Sequence, residues 1–130
     1  PKARVAQAAA ANAGWYTMPT YEAEFPYGLA KSGVTKEMLR TFLGRKLAVF
    51  LGDRDTDANH KYLNRDPGAS AQGKTRFVRG KIFFETARST AEDRGLYFGW
   101  ELRIVKGASH SNHEMAPSVA EYFFPIWTAP

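Results

Sequence analysis

A chain of 130 residues, 44% hydrophobic and 14% aromatic, has enough apolar material for one packed domain rather than a disordered tail. It contains no cysteine, which excludes a disulfide framework and a thiolate site. Its net charge of +5 describes a mildly basic protein, and no apolar run approaches transmembrane length. A soluble protein is expected, the cytoplasm only slightly favoured.

In chain order, Pro1-Lys-Ala-Arg4 is basic, but the alanine-rich stretch behind it is too weak and short for a secretory signal. Residues 3 to 14, ARVAQAAAANAG, favour helix by alanine propensity and end at the turn signal Asn12-Ala-Gly14. Residues 15 to 33 form a Pro-, Gly- and aromatic-rich loop too long for a plain linker. A short helix follows, capped by Thr35, stopped by Gly44, with Met38, Leu39 and Phe42 on one face. Residues 45 to 52, RKLAVFLG, are continuously apolar after two basic residues, the pattern of a strand covered on both faces in a parallel sheet.

Residues 53 to 70 read as loop, and 71 to 94 as a long helix ended by Gly95. Phe77, Ile82, Phe83, Thr86, Ala87 and Ala91 are expected to face inward. Lys74, Arg76, Arg79 and Lys81 lie near Glu85, Glu92 and Asp93, which reads as a solvated face rather than a nucleic-acid stripe. A second strand is expected at 97 to 105, a loop at 106 to 113, and a closing helix near 117 to 124. The middle of the chain is therefore a βαβ unit, whose two strands run parallel in one sheet.

Asp53, Asp55 and Asp57 crowd the end of the first strand of that unit. Ligands of open α/β sheets bind beyond the carboxyl ends of the strands. Asp55 follows one such end and His110 the other, and neighbouring strands lie about 5 Å apart. Asp55 is thus within reach of the His110 imidazole, where a carboxylate on Nδ1–H fixes the tautomer and leaves Nε2 as a base. Taken singly, the aspartate is better explained by turn chemistry, and the histidine by an ordinary surface or hydrogen-bonded position.

The segments LAVFLGDRDTD, KGASH and HEMAPSVAEYFF, in this order, resemble the last third of an α/β hydrolase. ANAGWYTMP, FPYGL and AQGKTRFVRG resemble segments of a bacterial group within that superfamily. The resemblance implies an α/β fold of about three parallel strands with flanking helices, with residues 5 to 11 as a strand rather than a helix. It implies Asp55, three residues past Gly52, as the triad acid, and His110, in Gly107-Ala-Ser-His110, as the triad histidine. It also brings the aromatic loop beside the site, making Trp15 and Tyr16 candidate substrate-binding residues, with core packing the alternative.

The family's serine lies on a G-x-S-x-G turn ahead of the acid and the histidine. This sequence has no such turn; Gly107-Ala-Ser109 follows the acid and lacks the second glycine. The expectation is a carboxy-terminal fragment of a serine hydrolase acting on carboxylic esters or related acyl compounds, inactive without an upstream serine. Its partners would be the amino-terminal part of the same domain and a small acyl substrate, with no nucleic acid, no metal and no cofactor.

Two other readings are distinct in kind. Asp55, Asp57, His60, His110 and His113 offer oxygen and nitrogen ligands for a metal, although His110-Ser-Asn-His113-Glu114 is not a zinc-binding H-E-x-x-H pattern. A stand-alone or degenerate module could instead have kept the sheet edge for interaction alone. Asp57 competes with Asp55 as the acid, but lies farther from the strand end and is expected to bond amides in its own turn, near Asn59 and His60.

Overall fold

The computed structural model describes residues 4–125. Three strands form one parallel sheet in the order β1 (Ala8–Ala11), β2 (Leu47–Gly52), β3 (Trp100–Val105). The fold is α/β, with helices α1 (Lys36–Leu43), α2 (Pro67–Ala71), α3 (Arg76–Asp93) and α4 (Asn112–Phe123) flanking the sheet.

β2 is the centre of this arrangement, and its continuous apolarity has the expected cause. Val49 and Leu51 join Leu39, Leu43, Phe83, Ala87 and Trp100 in a core on one face. Ala48 and Phe50 pack with Ala108 and Met115 on the other. Burying alternate side chains on opposite faces leaves no strand position for a polar residue.

β1 is a strand, as the resemblance implied and alanine propensity did not, though it is shorter than residues 5 to 11. Its four residues pair with β2 from Ala8 opposite Leu47 to Ala11 opposite Phe50. Helix propensity is worth only tenths of a kcal/mol per residue, and a ladder on a buried strand outweighs it. β3 pairs with the other edge of β2, Trp100 opposite Leu47 through Val105 opposite Gly52. It starts three residues later than expected: a Cβ on Gly99 would come within 2.6 Å of the Gly44 carbonyl oxygen.

α1 is capped as expected, Thr35 Oγ1 accepting from the Met38 amide at 3.2 Å and the Gly44 amide donating to Arg40 at 3.1 Å. Its buried residues are Leu39 and Leu43, whereas Met38 is 55% exposed. The face is thus rotated from the expected one, because positions four apart, not adjacent ones, meet a flat sheet.

The helix expected from 71 to 94 is α3, which starts only at Arg76, and residues 67 to 71, expected almost wholly as loop, form the separate helix α2. Pro67 starts α2, and Gly73 at φ +138 separates it from α3. On α3, Phe83, Ala87 and Ala91 are buried as expected, but Ile82 is 42% exposed. Arg76, Arg79 and Gly80 complete the buried face. Gly80 is required by close approach, since a Cβ there would overlap the Leu51 side chain. The solvated-face reading therefore holds for Lys74 and Lys81 and fails for the two arginines.

α4 begins before Pro117, not at it, and carries that proline inside the helix. Met115, Val119 and Tyr122 cover the Phe50 face of the sheet, and this packing outweighs one missing amide.

The register of α3 predicts unequal effects on stability. Phe83→Ala should cost about 3–5 kcal/mol, as removal of a buried ring does. Ile82→Ala, one residue away, should stay within about 0.5 kcal/mol. Urea denaturation of the two variants measures both.

Candidate active site

All three strands end at the same side of the sheet, and their ends are drawn together by backbone contacts. Gly52 terminates β2 where a Cβ would lie 2.4 Å from the Ala108 oxygen, so only glycine lets the β3 loop approach. Asn12, just past β1, accepts from the Gly52 amide and donates to the Ser109 carbonyl, both at 2.8 Å. Asn12 adopts φ +44, a conformation that asparagine tolerates better than most residues. One side chain thereby joins β1, β2 and the loop leading to His110.

Each of the three crowded aspartates has a separate partner. Asp53 Oδ1 accepts from the Gly107 amide at 2.7 Å and ties the two loops together. Asp57 Oδ1 accepts from the Asn59 amide at 2.8 Å, within its own turn. Asp55 is 4% exposed, and its Oδ2 lies 3.0 Å from His110 Nδ1. With Nδ1–H as the donor, the His110 proton is held on that nitrogen and Nε2 keeps its lone pair. The His110 side chain is 39% exposed, so this inward hydrogen bond leaves part of the ring open.

A buried carboxylate needs more than one partner. Arg76, at the start of α3 and 3% exposed, places Nη1 3.4 Å from Asp55 Oδ1. The Phe77 amide donates to the Asp55 carbonyl at 3.2 Å, which seats the loop on the same turn of helix. The other guanidinium nitrogen of Arg76 lies 3.2 Å from His60 Nδ1, and the His60 and His110 ring centroids are 5.9 Å apart.

Arg79, one turn further along α3, donates to the carbonyls of Gly73, Gly14 and Asn64 at 2.8, 2.7 and 2.9 Å. Burial lowers its pKa, with Arg76 adding to the effect. It welds the aromatic loop and the Asp55 loop to the helix.

The loop holding His110 is also fastened from α4. Glu114 accepts from the Ser109 amide at 2.6 Å and from its hydroxyl at 2.7 Å. These bonds hold the Glu114 carboxyl below its usual pKa. A cleft of about 170 Å³, lined by Ala11, Asn12, His110, Ser111, Asn112 and Met115, opens beside His110 at the end of β1.

The two aromatic candidates part company. Tyr16 is 6% exposed and stacks on Phe83 at 4.3 Å, inside the core. Its hydroxyl is pushed up to about 12, chiefly by burial, with the Asp55 carboxylate adding to the shift and the Ala13 backbone opposing it. Gln72 fixes the Tyr16 backbone by bonding both its amide and its carbonyl. Trp15 is half-buried and packs on Tyr27 at 4.9 Å.

His113 is exposed on the first turn of α4, and Asp57 is engaged in its turn. Among the described residues, no group of three or more His, Asp or Glu side chains is arranged to hold a metal. Sequence reasoning missed Asn12, Arg76 and Glu114. Asn12 registered only as a turn residue, and Arg76 only as one of four surface charges.

No protein-family model matches the chain, and no curated protein does. Solved structures similar to it include two enzymes. One is LpqC, a poly(3-hydroxybutyrate) depolymerase from Bordetella parapertussis, with a TM-score of 0.86 and 35% identity over 95% of this chain and 42% of that one. The other is poly(aspartic acid) hydrolase-1 from Sphingomonas sp. KT-1, with a TM-score of 0.88 and 39% identity over 92% of this chain and 45% of that one. The chain thus spans less than half the length of either hydrolytic enzyme.

Two outcomes follow from the site's packing. Arg76→Leu should destabilise the protein by about 3 kcal/mol, because Asp55 would lose its buried partner; chemical denaturation measures this. Glu114 has a depressed pKa in the folded state, so its contribution is present above the ordinary carboxyl pKa and is lost as pH falls through the lowered value. The acid-unfolding curves of the wild type and Glu114→Gln should therefore separate above about pH 4.5 and converge at lower pH.

Proposed function

We propose that this chain carries the acid and the general base of a serine-type hydrolase of carboxylic esters or related acyl compounds, with the serine supplied by a preceding part of the same domain. The observation that carries this reading is the Asp55–His110 hydrogen bond of 3.0 Å, beyond the carboxyl ends of two neighbouring parallel strands. The two similar structures support it, because their names describe hydrolysis of acyl polymers, a polyester in one and a polyamide in the other. Among the described residues β1 is an edge strand with one side unpaired, and the cleft beside His110 opens at its end. A serine delivered from strands added beyond β1 would enter there.

In this mechanism the serine hydroxyl attacks the acyl carbon while His110 Nε2 takes its proton. His110 then returns the proton to the leaving group, and an acyl-enzyme forms. Water, deprotonated by His110, attacks the acyl carbon and releases the acid and the serine. Asp55 holds the ring in place and stabilises the imidazolium formed in each half-reaction. Arg76 keeps Asp55 paired throughout. Trp15 is the aromatic contact for an apolar part of the substrate; Tyr16 supports it from the core.

The 130-residue chain alone should not turn over activated esters. In the full-length protein, His110→Ala and Asp55→Asn should each lower kcat/KM by about 10⁴-fold. Asp57→Asn should change it no more than about threefold, its bonds lying within its own turn. Turnover by the isolated chain that disappears in His110→Ala would overturn the missing-serine reading.

A further inference from the structure

The proposed reaction leaves His60 without a task, although its ring stands 5.9 Å from that of His110. The groups facing its Nδ1 decide its chemistry. Arg76 Nη2 lies 3.2 Å away, and the Tyr62 amide donates to the same atom at 3.2 Å. A guanidinium and an amide nitrogen are both donors and neither accepts. Nδ1 must therefore carry the lone pair, and the ring proton resides on Nε2. The two nitrogens diverge across the ring. With Nδ1 turned toward a guanidinium 3% exposed, Nε2–H is directed away from Arg76 on a half-buried side chain.

The same guanidinium reaches Asp55, and Asp55 reaches His110. One Asp–Arg pair thus orients two imidazoles with opposite proton patterns: a base at His110 Nε2 and a donor at His60 Nε2.

We propose that His60 is a substrate-recognition residue, a pre-oriented neutral N–H donor for a carbonyl oxygen on the acyl unit next to the one under attack. The substrate class is accordingly an oligomer in which carbonyls recur, such as an oligoester. This inference rests on the acyl-hydrolase reading. A neutral donor suits an uncharged carbonyl, which needs one hydrogen bond and no counter-charge. With His110 Nε2 at the bond under attack, a donor whose ring stands 5.9 Å away is placed to meet a carbonyl one unit along the chain.

The test uses the full-length protein as its own cells make it and two probes. One is the p-nitrophenyl ester of a 3-hydroxybutyrate dimer, and the other is p-nitrophenyl butyrate, which has no second carbonyl. His60→Phe keeps an aromatic ring without the donor, and His60→Gln keeps an N–H donor. The inference expects His60→Phe to raise the dimer ester's KM about tenfold with little change in kcat. The dimer-over-butyrate ratio of kcat/KM should fall by the same factor, and His60→Gln should restore most of it. An unchanged ratio overturns the inference, including the case in which both probes lose equally because His60 is merely structural. Should His60→Phe fail to fold, the wild type's imidazole ¹⁵N spectrum decides: a proton on His60 Nδ1 overturns the assignment. His110→Ala separates the two readings, since turnover retained in that variant sinks the catalytic reading, while the probe ratio reports on His60 independently.

Discussion

A carboxylate removed almost wholly from water must be met by donors on several sides, and Asp55 sets that requirement for everything around it. His110 answers from the β3 loop, Arg76 from the first turn of α3, and the Phe77 amide holds the loop backbone. Because the partners belong to two separate stretches of chain, the buried charge positions both of them relative to its own loop. The desolvation that makes Asp55 costly is also what makes its geometry definite. A solvated aspartate would gain little from any one partner and would select none.

Such a constraint needs a rigid base, and β2 provides it. Covered on both faces, it cannot slip by one residue without moving its buried side chains to the wrong sides. Gly52 then admits the β3 loop to van der Waals contact, and Asn12 pins both to the end of β1. The site consequently depends on small or local features: an absent Cβ, one amide side chain, and two arginines, Arg76 serving a charge and Arg79 backbone carbonyls. Arg79 illustrates this last point, being buried against three backbone oxygens.

How much of this was legible in the sequence depended on how local the signal was. The Thr35 cap, the Gly44 stop and the doubly covered β2 were readable because each is set by neighbouring residues. The pairing of Asp55 with His110 was readable because two parallel strands bring equivalent ends together. The alanines of β1 misled propensity, since the ladder that makes them a strand comes from residues about forty positions away. The α2–α3 break was hidden for a related reason: Gly73 looks like one flexible residue in a helical pattern until its backbone angle is known. Tyr16 and Trp15 are adjacent and equally aromatic, and only packing separates a core ring from a surface one.

By itself, then, the sequence determined the βαβ unit in the middle of the chain, its doubly covered strand, and the positions of an aspartate and a histidine at matching strand ends. These follow from periodicity, capping and chain connectivity, which act over a few residues or through one topological rule. Tertiary structure alone decided which charges are buried. Lys74 and Arg76 lie two residues apart, one in solvent and one sealed against Asp55, because burial depends on what the rest of the chain brings to that face of the helix. The same holds for His60, whose proton is placed by an arginine sixteen residues away.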